Sequence, residues 1–435
     1  MPVPLDRRVW LECRSLRANG YDVSVICPKG PGDPAREKLE GIHIYKYRPA
    51  PIVRGAVGYM WEFVYSWLRT AALSAVVWRR RPFQFLQACN PPDTYWALAR
   101  LWKRRGVTFV FDHHDLNPEL FLSRFGAPRG LSARLQLQGL KWLELRTFAT
   151  AEHVVSTNDS YRQVALTRGR LRPDRVTVVR SGPDTRAMRP IYPTTPGPRR
   201  FELAYLGIMG PQDRVDILLD VMQQLVTVRG RTDVHATFMG FGDCLDELKV
   251  ACTARGLDEV VTFTGRADKT MIARVLSGAD VGLCPDPKTP LNDVSTMNKQ
   301  MEYMAYALPT VTFDLAETRV SAGDTALYVD SGDVRGFADA VERLLDDEDL
   351  RLELALRARA RVAQALDWRT QARKYVGAYH RLMGSTAEVV DPPSTAPHEQ
   401  GPGVFVDLDD EAELRRFILE RRAPGRPGVR STAGA

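Results

Sequence analysis

The sequence predicts an α/β protein with two Rossmann-like domains facing each other across a cleft, followed by a disordered C-terminal tail. The chain has 435 residues, too many for one ordinary domain, because domains usually hold about 100–200 residues. Short apolar runs alternate with helical patterns, as in parallel sheets built from strand–helix–strand units. A proline-rich stretch at 190–198 (PIYPTTPGP) interrupts this alternation and indicates a hinge.

The candidate buried strands form two series, one on each side of the hinge. The first series comprises residues 21–27, 83–88, 107–112, 153–157 and 176–180. The second comprises residues 202–206, 234–239, 260–264, 281–284 and 310–313. We therefore place the first domain at 1–189, the hinge at 190–198 and the second domain at 199–370. A helix at 371–384 is expected to cross back to the first domain. Residues 385–435 are expected to be mostly disordered, because proline, glycine, serine and threonine dominate them.

Composition narrows the class of protein. Hydrophobic residues make up 44% of the chain and charged residues 26%, as in globular proteins. The first residues, MPVPLDRR, lack the pattern of a signal peptide, so we expect a cytoplasmic protein. The six cysteines show no zinc or disulfide spacing. The net charge of +7 is compatible with an anionic membrane surface or a phosphorylated substrate. No nucleic-acid-binding motif is present.

Two amphipathic segments stand apart from the strand series. Residues 59–78 carry six of the chain's aromatic residues and precede Arg79, Arg80 and Arg81. Aromatic residues beside cations suit a peripheral membrane interface, but the segment also fits a helix packed into the first domain. The second segment, 408–421, is compatible with a short helix inside the tail.

The most informative stretch is 292–309, NDVSTMNKQMEYMAYALP. Ser295 or Thr296 can cap a helix on which Lys299 and Glu302 lie one turn apart on the same face. The N-terminus of a helix attracts anions, and the added Lys299 suits a diphosphate. Glu302 can accept hydrogen bonds from ribose hydroxyls. The same spacing also fits an ordinary surface Lys–Glu pair, and spacing alone leaves both interpretations open.

Three motifs follow one another along the chain: DRRVW at 6–10, DHHDL at 112–116 and the stretch at 292–309. Together they resemble family 4 of the retaining glycosyltransferases, which have the GT-B fold, and in particular its branch of bacterial surface-polysaccharide enzymes. The resemblance implies transfer of a sugar from a nucleoside diphosphate, with UDP favoured, to a saccharide or polyprenyl-linked acceptor in cell-surface polysaccharide or glycoconjugate synthesis. We expect no metal or other cofactor, since no DxD-like carboxylate pair follows a strand.

The resemblance also implies roles for residues of the second domain. Glu302 would hold the donor ribose, and Lys299 would act catalytically near the donor phosphates. Glycine turns would let backbone N–H groups approach the diphosphate, and the loop at Gly265 and Arg266 would meet the base. The implied donor-binding residues are Gly207, Gly210, Gly240, Gly242, Gly265, Arg266, Asn298, Lys299 and Glu302.

The sequence departs from the family pattern at two places. Val294 stands where the family has a first glutamate, so Asp293 or Ser295 is expected to cover its contact with the sugar. Ile208 and Asp213 stand where the family supplies an arginine and a lysine to the phosphates. Lys299, the helix N-terminus and Arg7 or Arg8 would then carry more of the leaving-group charge.

In the first domain, His113, His114 and Asp115 follow a predicted strand and are candidate catalytic residues. The resemblance implies that one histidine touches the transferred sugar, with Asp115 orienting it, and leaves open which histidine does so. The candidates for the acceptor side are Arg7, Arg8 and Glu119.

Related enzymes begin with an apolar strand before the DRRVW motif, where this sequence has its first residues. We therefore expect that the start has been assigned too late and that a first strand is missing. Two other functions remain open at this stage. One is a nucleotide-sugar epimerase of the same fold, and the other is a non-catalytic scaffold that binds nucleotide sugar.

Overall fold

A computed structural model describes residues 2–50, 56–192, 200–394 and 403–421, and the side chains of 56–60 also lie outside this description. The chain divides into two compact units. The first comprises Met1–Ser181 with Trp368–Pro393, and the second comprises Gly182–Asp367 with Ser394–Ala435. The boundary thus lies before the predicted end of the first domain at 189. Most of the predicted hinge lies outside the described residues.

The first unit contains two sheets. Its elements are α1 (Arg7–Ala18), β1 (Ser24–Pro28), β2 (Arg36–Leu39), β3 (Ile42–Tyr47), α2 (Ala56–Arg80), β4 (Phe85–Cys89), α3 (Trp96–Lys103), β5 (Thr108–His113), α4 (Asn117–Phe125), α5 (Leu131–Thr150), β6 (His153–Ser156), α6 (Asp159–Thr167) and β7 (Val176–Val178). The strand orders are β1-β3-β2 and β4-β5-β6-β7. Only the β2–β3 pair is antiparallel among the described strands. β1 and β4 each lie at an edge of their own sheet, and the missing first strand stays a prediction.

The second unit contains one parallel sheet. Its elements are β8 (Phe201–Ile208), α7 (Asp216–Gln223), β9 (Val234–Phe241), α8 (Leu245–Ala254), β10 (Val261–Gly265), α9 (Lys269–Gly278), β11 (Val281–Cys284), α10 (Asn298–Ala305), β12 (Thr310–Phe313), α11 (Ala316–Ala322), β13 (Ala326–Val329), α12 (Val334–Asp346) and α13 (Glu348–Arg361). The strand order β10-β9-β8-β11-β12-β13 is that of a Rossmann sheet. The order reverses between β8 and β11, and this is the point where such sheets bind ligands beyond the carboxyl ends of their strands.

The helix α14 (Trp368–Met383) belongs to the first unit. It begins three residues before the predicted helix at 371–384. Its Trp368 is fully buried and donates from Nε1 to Ser15 Oγ of α1 at 3.1 Å. Apolar residues of α14, including Tyr375 and Val376, pack against Val110 of β5. This contact covers one face of the sheet that carries β5.

Within the predicted tail, the segment 403–421 is packed, which departs from the expectation of disorder for this part of the tail. Phe405 bridges Ile191 in antiparallel fashion, and a helix α15 (Glu411–Leu419) follows. The buried side chains of this segment are Val406, Leu414, Phe417 and Ile418. The last three recur at helical spacing and form one apolar face. The short helix expected within 408–421 is thus present as α15.

The aromatic segment at 59–78 lies within α2. Its second half packs Ala71, Ala75 and Trp78 against α3, with the rings of Trp78 and Trp102 at 5.0 Å. Its first half leaves Trp61 and Leu68 about half exposed, at 48% and 54%. No helix in the described ranges is long and apolar enough to cross a membrane.

Candidate functional site

The second unit contains a cavity of about 350 Å³ at the carboxyl ends of β8 and β9. Its lining residues are Leu206, Gly207, Ile208, Asp213, Gly240, Phe241, Arg266, Ala267, Thr296, Met297, Asn298, Lys299 and Glu302. Six of the predicted donor-binding residues meet here: Gly207, Gly240, Arg266, Asn298, Lys299 and Glu302. Gly210, Gly242 and Gly265 do not line the cavity. The fold therefore brings together six of the nine predicted donor-binding residues, which are spread over about a hundred residues of sequence.

Gly207 and Gly240 form the floor of the cavity, where there is no room for a side chain. A Cβ on Gly240 would lie 1.9 Å from the carbonyl oxygen of Gly207, and a Cβ on Gly207 would lie 3.0 Å from Lys299 Cε. Gly242 has φ +154° and its Cβ would lie 2.5 Å from Met209 O. Gly265 ends β10 with φ +69°, a conformation that side chains disfavour. Gly207 and Gly240 thus bring the backbone at the ends of β8 and β9 to the cavity.

Lys299 forms a buried ion pair with Asp286. Its Nζ lies 2.6 Å and 2.8 Å from the two carboxylate oxygens, and both side chains are nearly inaccessible. Burial opposes the charge of Lys299, but Asp286 outweighs it and raises the pKa of the amine above its usual value. Lys299 therefore stays protonated, with its charge compensated. Sequence reasoning missed Asp286, although a carboxylate two residues after a buried strand was an available signal.

The N-terminus of α10 borders the cavity. The predicted capping by Ser295 or Thr296 is wrong, because Met297 is the N-cap and makes no side-chain capping bond there. Ser295 instead donates to Leu291 O at 2.7 Å. The first backbone N–H groups of a helix lack partners within the helix, so this end of α10 suits an anion.

Neither residue expected to replace the family's first glutamate lines the cavity. Asp293 accepts a hydrogen bond from Ala316 N at 2.8 Å, which ties it to α11. Ser295 is occupied by its bond to the backbone. Asp213 does line the cavity and accepts a hydrogen bond from Gly210 N at 3.0 Å. The anticipated replacement at Asp293 or Ser295 therefore has no support from this geometry.

One wall of the cavity is a cation–π pair. The guanidinium carbon of Arg266 lies 4.3 Å from the ring centre of Phe241. Both residues line the cavity, and Phe241 is 37% exposed. Flat groups of this kind stack on aromatic heterocycles. The arrangement can hold a base beside the glycine floor.

In the first unit, the two histidines have different surroundings. His113 is the last residue of β5 rather than the first residue after it, and it is fully buried among Phe111, Phe148 and Tyr161. Neither ring nitrogen has a hydrogen-bond partner among the described residues. Burial, followed by the effect of His114, lowers the pKa of His113 to about 3. This places His113 in the core as a neutral residue.

His114 instead belongs to a polar network with Asp112. His114 Nε2 lies 2.6 Å from Asp112 Oδ2 and 3.0 Å from Arg8 Nε. One nitrogen cannot donate to the carboxylate and also accept from the guanidinium, so the shorter contact assigns the proton to Nε2 and leaves Nδ1 as the acceptor. The carboxylate that orients the histidine is thus Asp112, not Asp115 as expected.

Arg8 is the cation of this network. It donates to Asp112 Oδ1 at 3.0 Å and to Val179 O at 2.8 Å, and lies 3.0 Å from Glu12. Burial opposes the ionisation of Asp112, but Arg8 and then His114 outweigh it and hold the pKa well below its usual value. The contacts of Arg8 are internal to the unit, which favours a positioning role over the expected acceptor contact. For Arg7, at the start of α1, the acceptor role stays a prediction.

The remaining candidates of the loop are also held by neighbours. Asn90 Oδ1 accepts from the backbone N–H groups of His114 at 2.7 Å and Asp115 at 3.1 Å. Burial raises the pKa of Asp115. Glu119 pairs with Arg168, which also donates to Glu144 at 2.8 Å. Asn90, which the sequence analysis did not single out, fixes the shape of the loop.

Within the described part of the chain, one group of side chains has the composition of a metal site: Cys89, Asp112 and His114. Arg8 lies within 3.0 Å of both Asp112 and His114. The guanidinium already supplies the positive charge that a metal ion would bring, so these residues fit a metal poorly.

Comparison with known proteins agrees with this architecture. Residues 5–187 match the family model described as Glycosyltransferase Family 4, and residues 200–347 match Glycosyl transferases group 1. The chain is 28% identical over 304 residues to alpha-maltose-1-phosphate synthase of Mycolicibacterium smegmatis. The aligned region covers 64% of this chain and 74% of that protein.

Two solved structures share the fold. Sucrose-phosphate synthase from Thermosynechococcus elongatus has a TM-score of 0.70 at 16% identity, covering 87% of this chain and 94% of that one. HepE of Anabaena, solved in complex with UDP-glucose, has a TM-score of 0.63 at 15% identity, covering 88% and 97%.

The burial of His113 predicts a specific pH dependence of stability. Its folded pKa of about 3 lies below the ordinary value of 6.5, so between these values the unfolded chain binds a proton that the folded chain does not. The wild type therefore loses stability as the pH falls below 6.5. His113→Leu removes this loss, and its free energy of unfolding relative to the wild type should improve by up to about 1.4 kcal/mol per pH unit between about pH 6 and 4. Thermal or urea unfolding at several pH values measures this, and a constant difference would contradict it.

Proposed function

Because this chain belongs to family 4 of the glycosyltransferases and is a GT-B glycosyltransferase, we propose that its second unit binds a nucleoside-diphosphate sugar, with UDP as the nucleotide. The sugar is transferred with retention of configuration to a saccharide or polyprenyl-linked acceptor in cell-surface polysaccharide or glycoconjugate synthesis. The observation that carries this proposal is the convergence of Lys299, Glu302 and two glycine strand ends on one cavity.

The cavity suits each part of such a donor. Its volume of about 350 Å³ falls in the range of small-molecule sites, about 300–1,000 Å³. Arg266 on Phe241 offers a stacking surface for the base, and Glu302 offers a carboxylate to the ribose hydroxyls. Because Gly207 and Gly240 have no side chains, the diphosphate can approach the backbone of the two strand ends. HepE, which shares the fold, was solved with UDP-glucose, which supports UDP as the nucleotide here.

Departure of the nucleoside diphosphate increases negative charge on its phosphates. The N-terminus of α10 and Lys299 stand beside the cavity to stabilise that charge. An ammonium group has three N–H donors, and Asp286 engages two of its directions, so a third can reach a phosphate oxygen. The proposal contains no protein nucleophile. The acceptor hydroxyl attacks on the face from which the diphosphate leaves.

In the first unit, we assign the acceptor and the transferred sugar to the loop at His114. With its proton on Nε2 held by Asp112, His114 presents Nδ1 as an acceptor for a sugar hydroxyl. His113 takes no part, because it is buried among aromatic rings. Asp115 and Glu119 lie on the same loop and the helix that follows it, and their roles are secondary to that of His114.

Glu302→Gln should weaken the binding of UDP by about 10- to 100-fold, because hydrogen bonds to a charged group contribute about 1.5–3 kcal/mol. Isothermal calorimetry with UDP and with UDP-glucose measures this. The matched control is Glu353→Gln, a surface carboxylate paired with Arg357. Equal affinity in both variants would reject the ribose role of Glu302. Tight donor binding by the wild type without transfer or hydrolysis would favour the scaffold alternative.

Transfer should persist after removal of divalent cations. The charge of the leaving group is met in this proposal by Lys299 and the N-terminus of α10, and the candidate ligand group at Asp112 already holds Arg8. Activity is measured on enzyme dialysed against EDTA, with and without added Mg²⁺ or Mn²⁺. Activity that returns only with a divalent cation would contradict metal independence.

Two exposed faces of the first unit favour a membrane-bound acceptor. On α2, Trp61 and Leu68 belong to one exposed stripe. On α5, Leu131, Leu135 and Trp142 recur at helical spacing with exposures of 74%, 63% and 47%. The cations of α5 are Arg134, Lys141 and Arg146, and its single acidic residue, Glu144, is buried against Arg168. An apolar stripe flanked by cations complements an anionic lipid surface. We propose peripheral binding to the cytoplasmic face of the plasma membrane.

Vesicles containing phosphatidylglycerol should therefore sediment the protein, and high salt should weaken the binding. Two double variants, Leu131→Ser with Leu135→Ser and Arg79→Ser with Arg80→Ser, should each reduce the bound fraction. Arg81 is left unchanged because it pairs with Asp22. Each cation near the surface contributes about 1 kcal/mol. Val250→Ser, at a residue 71% exposed on the second unit, is the control. Binding that neither salt nor either double variant alters would make a soluble acceptor the better proposal.

A further inference from the structure

The segment 403–421 lies outside both ranges that match family models, yet it is fastened to the second unit by backbone bonds. Tyr192 N donates to Val404 O at 2.9 Å, and Val406 N donates to Pro190 O at 3.0 Å. These contacts add a short stretch of extended chain beside residues 190–192. The segment then continues into α15, which packs on α13 through Leu414 and Phe417.

The last described residue of this segment, Arg421, is buried at the end of the donor helix. Its Nη1 donates to Ala279 O, after α9, at 2.8 Å. Its Nη2 donates to Ala307 O and lies 3.4 Å from Tyr306 O. Arg421 as a whole is only 3% exposed. Arg421 therefore joins the C-terminal ends of two helices, α9 and α10.

Position 421 follows Leu414, Phe417 and Ile418 at helical spacing, where an apolar residue would complete the buried face. A buried guanidinium is costly unless its N–H groups find acceptors. Burial lowers the pKa of Arg421 to about 10, so the side chain remains charged near neutral pH. An arginine at this position is therefore explained by the carbonyl groups it binds rather than by packing.

Those carbonyl groups lead directly to the cavity. Tyr306 is the C-cap of α10, and its N–H donates to Glu302 O at 3.3 Å. Glu302 lines the cavity one turn earlier, so a single helical turn separates Arg421 from a donor-binding residue. A cation at the C-terminus of a helix also complements the helix dipole, whose positive end here faces the cavity. Arg359, from α13, binds the neighbouring Ala305 O at 3.0 Å.

We propose that the segment 403–421 supports the donor site and that Arg421 is a positioning residue, which holds α10 so that Glu302 and Lys299 face the donor. This inference rests on the proposed function for its effect on UDP, but its effect on α10 is independent of any ligand.

The test compares Arg421→Ala and Arg421→Lys with a matched control, Arg415→Ala, in the full chain. Arg415 lies on the same helix, is half exposed and pairs only with Glu411 among the described residues. Amide hydrogen exchange without ligand is measured over residues 298–306. UDP affinity is measured by calorimetry, and the donor KM and acceptor KM are measured separately.

Arg421→Ala should speed exchange over 298–306 and weaken UDP binding about tenfold, equivalent to about 1.4 kcal/mol. The donor KM should rise and the acceptor KM should not. Arg421→Lys should restore part of both effects, because it keeps the charge and some of the donors. Arg415→Ala should match the wild type.

Unchanged exchange over 298–306 in a folded Arg421→Ala protein would overturn the inference. So would an equal rise of the donor and acceptor KM values in both Arg421 variants, which indicates a general loss of structure. If Arg421→Ala does not fold, exchange over 298–306 and UDP affinity are judged by the same criteria in Arg421→Lys. A wild type that binds no UDP, while exchange over 298–306 still responds to Arg421→Ala, would reject the proposed donor and retain the role of Arg421 in holding α10.

Discussion

The cavity of the second unit depends on the buried ion pair between Lys299 and Asp286. It ties the loop after β11 to the first turn of α10, and both charges are removed from water. Loss of one partner would leave an uncompensated buried charge, which typically costs about 3–5 kcal/mol. The pair therefore fixes the direction in which the helix N-terminus points. The glycine floor and Glu302 can act together on one ligand only while this direction is kept.

A comparable arrangement organises the first unit. Asp112 is the penultimate residue of β5, beside the loop at His114, and shares its two carboxylate oxygens between Arg8 and His114. Burial disfavours the ionised form of Asp112, but the neighbouring Arg8 and His114 keep this carboxylate ionised. In each unit, then, a buried carboxylate near the end of a parallel strand sets the orientation of a cationic or basic side chain. The orientation of Lys299 and of His114 is thus determined inside each unit, by contacts that do not require a ligand.

The sequence predicted the α/β class well, because every run of the second series became a strand of one parallel sheet. Helical spacing, which is a local property, predicted that Lys299 and Glu302 lie on one face of a helix, but only the family resemblance favoured a ligand site over a surface ion pair. The pairing of Lys299 with Asp286 was not predictable, because Asp286 lies thirteen residues earlier in an irregular loop whose path no periodicity describes. The pattern also could not separate His113 from His114. Adjacent residues at a strand end point to opposite sides, and the choice between them depends on packing by Phe148 and Tyr161.

The close approach of Gly240 to Gly207 has a consequence for redesign of donor preference. Any side chain at Gly240 would collide with the backbone of the neighbouring strand, so the floor of the cavity offers no position for variation. Ile208 and Phe241 lie at the rim and are 46% and 37% exposed, respectively. Libraries that vary these two residues can alter the shape presented to a base or sugar without separating β8 from β9. Engineering of the specificity of this chain is therefore best begun at the rim, with both glycines held constant.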